Sequence, residues 1–221
     1  MRLRLPEERP EEPPVGHKVA HPVLSQDGTR AAFLGVSLGG REPYGVLAEA
    51  RCAYGWRHRA PSRFCDCGFH CLHSRTEASG LVCTAEHRMA VLLDVAVLGA
   101  YIRFERGFRY GRQRVRSMTV GPCPCHHEAT LLADAGWGRP GWRALEAACA
   151  GCVRERPALS PTDFGARAGE GLRVLGAASA IAPPPERSVP ELVAEAALLQ
   201  ARLDWFQSQL ARLTGPGRSQ G

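Results

Sequence analysis

Lysine is almost missing from this chain of 221 residues: Lys18 is the only one, and every other basic side chain is arginine. Arginine in place of lysine, with abundant alanine, glycine and proline, fits the coding habits of a GC-rich genome. The net charge of +6 is then a weak argument for a polyanionic partner, and only local clustering of arginine counts. Also missing is any run of roughly 18 apolar residues, so no membrane-spanning helix is expected. The N-terminal MRLRLPEERPEEPP is acidic and proline-rich where a secretory leader would be apolar. A cytoplasmic protein without membrane contact is therefore expected, with reduced thiols rather than structural disulfides.

The common catalytic signatures are absent as well. There is no phosphate-binding glycine loop, no G-x-S-x-G elbow and no dinucleotide fingerprint. The zinc-deaminase pattern, H-x-E followed by P-C-x-x-C, is not met: the P-C run here is PCPC, with no H-x-E before it. These absences argue against an enzyme.

What the sequence does have is cysteine. Nine are present, an odd number, and several stand in C-x-C or C-x-x-C pairs. That usage suits metal better than a disulfide frame. The first cluster lies in CAYGWRHRAPSRFCDCGFHC, residues 52–71. Its Cys65-Asp-Cys67-Gly68 turn brings two thiolates to one side of a tight loop, and the glycine lets the backbone fold over them. Cys52 and His58 precede the turn at distances that suit a second arm. Cys52, His58, Cys65 and Cys67 are the expected ligands, with His70, Cys71, Cys83 and His87 as substitutes.

The second cluster pairs Cys123-Pro-Cys125 with Cys149-Ala-Gly-Cys152 in a zinc-ribbon-like layout, and His126 and His127 compete with the thiols. Both sets offer four or more ligands, which favours closed, structural Zn2+ sites over an open catalytic one. Two zinc ions are expected. The alternatives are small buried thiols without metal, or an iron–sulfur cluster, although the spacing matches neither ferredoxin pattern.

Two further segments carry information. YIRFERGFRYGRQRVR holds six arginines against the single acid Glu105, with aromatics interleaved. On a strand, Arg112, Arg114 and Arg116 share one face, and with Arg103 and Arg109 they form a candidate nucleic-acid surface that Arg57, Arg59 and Arg63 would extend. The structural alternative is a solvated sheet face over an aromatic core. Near the C-terminus, Ser188 and Glu191 form a capping box, and Leu192, Ala196, Leu199, Leu203, Phe206, Leu210 and Leu213 repeat as heptads up to Gly215-Pro216. A helix over 188–214 is expected to support a homodimer or dock a partner, or else to lie on its own domain.

The expected fold is α+β. It comprises a small, mainly antiparallel sheet, two zinc-knuckle or ribbon-like sites and a long C-terminal amphipathic helix. The domain limits read as a disordered leader over 1–20, a zinc-stabilised domain over 21–181, a linker over 182–187, the heptad helix over 188–214 and a disordered tail over 215–221. Within the domain, VLSQDGTRAAFLGVSL reads as a hairpin about Asp27-Gly28. MAVLLDVAVLGAYIRF and FRYGRQRVRSMTV read as long antiparallel strands turning near Gly107. EATLLADAGW and GWRALEAACAGCV read as helices, and Ser160 is placed to cap a short one.

The segment C…H-R-A-P-S-R-F-C-D-C-G-F, followed by E-R-G-F-R-Y, resembles a group of cysteine-rich actinobacterial proteins. These share C…H-x-A-P…C-x-C-G-[FIY] and a later G-[FY]-R strand. The resemblance covers roughly residues 42–120. It implies that Cys52, His58, Cys65 and Cys67 act as a unit, and it implies no activity.

The leading functional expectation is a non-enzymatic, zinc-binding regulatory protein contacting nucleic acid or the transcription machinery through the arginine face. The second is a protein–protein adaptor using the C-terminal helix, and the third a redox or metal sensor.

Overall fold

The structure, a computed structural model, describes residues 10–36, 42–52, 54–82, 87, 89–176 and 207. The chain divides into two compact units, Met1–Ala180 and Ile181–Gly221. The heptad positions Leu192, Leu199, Leu203, Phe206, Leu210 and Leu213 lie outside the described residues.

The elements run β1 (Val15–Ser25), β2 (Ala31–Gly35), β3 (Leu47–Glu49), β4 (Phe69–Leu72), α1 (Arg75–Val82), β5 (Val91–Arg103), β6 (Gly107–Val120), β7 (Leu131–Arg139), β8 (Trp142–Ala148), α2 (Ala150–Val153), β9 (Ala158–Leu159), α3 (Pro161–Ala168) and β10 (Arg173–Gly176). All ten strands join one sheet. Every pairing is antiparallel except β10 with β6. β1 pairs β5, β5 pairs β6, β6 pairs β4, and β4 returns to β1 through His17 and Leu72, so the sheet curls back on itself. The mainly antiparallel sheet with few helices agrees with the sequence reading.

The hairpin about Asp27-Gly28 forms as its turn chemistry demands. Gly28 takes φ +71, and the Asp27 carboxylate accepts from Ser25 Oγ, Thr29 N and Thr29 Oγ1 at 2.5, 3.0 and 2.9 Å. β5 and β6 are the long pair anticipated, and Phe104 N closes their turn on Gly107 O at 2.8 Å. Ser160 caps α3 by accepting from Asp163 N at 3.0 Å.

Two expectations are corrected. The sheet begins at Val15, so residues 15–20 are not a leader. Their register against Val91–Ala96 of β5 buries Val19 and Ala20 at 4% and 0% exposure, a tertiary gain that local proline content does not reveal. The two stretches read as helices are β7 and β8. Their alanines favour helix, but Pro140-Gly141 makes a turn, Gly141 at φ +78. Pairing of β8 with Val23–Ser25 then draws Leu145 into the core. Tertiary pairing outweighs a propensity worth under about 1 kcal/mol per residue.

The main core joins Phe33, Leu93, Val95, Phe108, Tyr110, Val115, Met118, Leu132, Leu145 and Phe164. The inward residues of β6 change parity, from Phe108 and Tyr110 to Val115 and then to Met118 and Val120. The register shifts against β5 fall in the same places. These bulges rotate the strand. As a result Arg112 and Arg114 are exposed while Arg116, the unpaired residue between Val115 and Ser117, is half-buried.

Beneath this surface Lys18 points between two rings, 5.0 Å from the Tyr44 centroid and 4.9 Å from that of Phe69. Its amine donates to Gln113 Oε1 at 3.5 Å. The residue keeps partial exposure, but the amine is enclosed. Burial pushes its pKa down to about 8, against an upward pull from the Cys71 thiol.

Candidate metal centres

The first cluster occupies the loop between β3 and β4. Cys52 follows β3, His58 lies midway, and Cys65 and Cys67 stand just before β4. One ligand atom from each of the four falls within 4.8 Å of all the others. Cys52 Sγ is 3.8 Å from Cys65 Sγ, and His58 Nε2 is 3.1 Å from Cys67 Sγ. Donor atoms around a tetrahedral zinc stand roughly 3.3–3.8 Å apart, given bonds of about 2.0–2.3 Å. A disulfide would need about 2.05 Å, and the cysteines are free.

The backbone supports the sulfurs. Burial raises the Cys52 thiol, but N–H groups of Tyr54 and Trp56 aimed at its sulfur outweigh that and lower it. Burial, and a hydrogen bond shared with Cys65, raise Cys67. Gly68 has φ +131, and a Cβ there would stand 3.0 Å from Arg109 Cγ and 3.2 Å from the Tyr110 carbonyl oxygen. The glycine after Cys67 is thus required by both conformation and space.

Arg109 fastens the loop to the sheet. Its Nη1 donates to the Cys65 carbonyl at 2.8 Å and to Asp66 Oδ1 at 3.1 Å, and its Nη2 donates to the Ser62 carbonyl at 3.1 Å. Its guanidinium carbon lies 5.6 Å from the centre of the Phe104 ring. Buried at 7% exposure, Arg109 is withdrawn from the nucleic-acid surface to which the sequence assigned it. Its Nη1 and Nη2 are spent on loop acceptors, which a buried guanidinium needs as partners, while its buried Nε has none. Gly111 admits the loop from the same strand, since a Cβ there would collide with the Ala60 carbonyl.

The second cluster joins the loop after β6 to the start of α2. Cys125 Sγ lies 3.3 Å from Cys123 Sγ and 3.6 Å from Cys149 Sγ. With Cys152 the four sulfurs lie within 4.8 Å of one another. Cys149 is not inside a long helix as expected but is the N-cap of α2, and Cys152 N bonds its carbonyl at 3.1 Å. His126 takes φ 67 as the chain reverses, and His127 Nδ1 is 3.4 Å from Cys125 Sγ. Burial raises the Cys123 thiol, but backbone N–H groups of Cys125 and Cys149 outweigh it and leave it at about 6. Hydrogen bonds with the sulfurs of Cys125, Cys123 and Cys149 push Cys152 up to about 12. Four crowded thiols share their protons unequally, and a divalent cation binding among them displaces those protons.

Each quartet expected from the sequence is therefore brought together, and both suit a metal ion. Of the substitutes, Cys71 is a core residue at 5% exposure, packed against Gly16. His70 is exposed on β4, and Cys83 lies outside the described residues. Arg103 is exposed at the end of β5, its guanidinium 5.7 Å from the Phe108 ring.

Sequence reasoning missed the bracing role of Arg109 and a network about Asp94. The Asp94 carboxylate accepts from Arg75 Nη1 at 2.5 and 2.6 Å, from His17 Nδ1 at 2.8 Å and from Ser117 Oγ at 2.6 Å. An acid in the middle of an apolar strand was the available signal. No helix among the described residues is long and apolar enough to cross a membrane. The chain matches no family model, no curated protein and no solved structure.

Proposed function

We propose that this chain is a non-enzymatic, zinc-stabilised regulatory protein of the cytoplasm that contacts nucleic acid, alone or with the transcription machinery, through the sheet face bearing Arg112 and Arg114. The supporting observation is the exposed arginine pair on β6, directly beyond the strand segment that anchors the first cysteine cluster. Arg112 lies across from Glu49 and Leu98, and Arg114 across from Leu47 and Ala96. Among these cross-strand partners the one acid is Glu49. Zinc at each cluster supplies rigidity to long loops, and four protein ligands leave no open position for chemistry. Such a surface binds phosphates with an affinity that falls steeply with salt.

The test is fluorescence anisotropy of the full chain with labelled DNA and RNA at several salt concentrations. Binding that weakens with salt and is abolished by Arg112→Glu with Arg114→Glu, at unchanged zinc content, supports the reading. Binding that survives the double change removes the arginine face as the site.

A second reading, a protein–protein adaptor, rests on the heptads over 188–214. It requires that deletion of 188–221 abolish partner capture while both zinc ions remain.

A further inference from the structure

The first metal loop carries large aromatic side chains with no place in the core. Tyr54, Trp56 and Phe64 are 62%, 59% and 94% exposed, and none belongs to a core cluster. Eight large hydrophobic side chains are exposed among the described residues, and three of them fall within these eleven positions. Such a concentration marks a contact surface rather than scatter.

The two arms of the loop that carry these rings meet at a cysteine pair. Tyr54 and Trp56 follow Cys52, and Phe64 precedes Cys65, whose sulfurs lie 3.8 Å apart. Tyr54 and Trp56 stand 5.8 Å apart at 37°, and Trp56 meets His58 edge-on at 6.0 Å. Arg57, Arg59 and Arg63 are exposed in the same loop. The one acid between Cys52 and Cys67, Asp66, is paired with Arg109 at 3.1 Å. Exposed rings interleaved with unopposed guanidinium groups suit a ligand that alternates π-faces with negative charge.

We infer that this loop binds single-stranded nucleic acid, stacking unpaired bases on Tyr54, Trp56 and Phe64 while the three arginines follow the phosphates. This rests on the nucleic-acid reading above and assigns it a strand type. Duplex bases hide their faces in the stack and offer only edges and phosphates, so these rings would have nothing to cover. The loop adjoins the arginine strand at its entry, where Ala50 N bonds Gly111 O at 2.7 Å and Arg112 is the next residue of β6.

The test measures binding of the full zinc-loaded chain to labelled ~20-nucleotide oligo-dT, oligo-U and a duplex of equal length, with the variants Tyr54→Ala plus Trp56→Ala, and Phe64→Ala alone. The expected result is single-strand affinity at least about tenfold above duplex affinity, a loss of about 10–100-fold in the double variant and a loss of several-fold in Phe64→Ala. The two single strands report the preference between DNA and RNA. Equal affinity for duplex and single strand, with aromatic variants binding as wild type, overturns the inference and leaves the arginine-face reading intact. No binding to any probe overturns both, and would assign the rings to a protein partner. Should the double variant lose zinc, Phe64→Ala decides, since its exposed ring leaves the metal quartet untouched.

Discussion

Arg109 Nη1 donates to the carbonyl oxygen of Cys65 at 2.8 Å, so a strand of the sheet holds the backbone of a residue in the first cysteine quartet. The metal loop is therefore part of the fold rather than a flap beside it. Arg109→Ala leaves the Cys65 and Ser62 carbonyls without this donor and is expected to weaken metal retention at the first site about 10–100-fold. Arg109→Lys should fail to restore it, because an ammonium cannot span the three acceptors as the planar fork does. Chelator competition, read separately for the two sites, checks this, with the second site expected to be unchanged.

Gly111→Ala should act on the same contact from the other side. The added methyl overlaps the Ala60 carbonyl, so the loop must lift from β6. The expected cost is about 1–3 kcal/mol in chemical denaturation, with earlier loss of the first metal.

Asp94 sets the acid limit of the sheet. Burial raises its carboxyl, but hydrogen bonds from His17 and Ser117 and the charge of Arg75 hold it down at about 2. A carboxyl depressed in the folded state contributes stability above its ordinary value of 3.8 and loses it as pH falls toward about 2. The contribution is about 2 kcal/mol. Asp94→Asn should lower stability at neutral pH by a similar amount and flatten the acid limb, read as denaturation midpoints against pH.

Lys18 gives a slope of the same sign at alkaline pH. Its amine titrates near 8 when folded against 10.5 ordinarily, so the unfolded chain binds more protons between those values, and stability rises as pH rises through that window. Lys18→Met should remove this rise and stabilise the fold near pH 7 by on the order of 1 kcal/mol. The difference between wild type and variant isolates Lys18 from the titrating thiols.

The metal quartets were legible in the sequence because ligand spacing is local: C-x-C-G and P-C-x-C each shape one turn. The β5–β6 pair was legible from its apolar run, and the Asp27-Gly28 hairpin from its turn. The β7–β8 hairpin was not, because Leu131–Ala148 is alanine-rich, and only pairing with β1 makes it sheet. Arg109 was misassigned for a related reason. Period-two reasoning cannot foresee the bulges that rotate β6, nor that a loop some forty residues earlier in the chain would cover one arginine and leave Arg112 and Arg114 open. Lys18 had announced itself as the sole lysine, but nothing local told of the rings around it.

The most direct test of two thiolate-bound ions is elemental analysis of the full chain, purified without added metal, together with Cys67→Ser and Cys152→Ser. Two zinc ions per chain are expected in the wild type and one in each variant. A chain that folds with no bound metal, or that carries iron with visible absorption, contradicts the account.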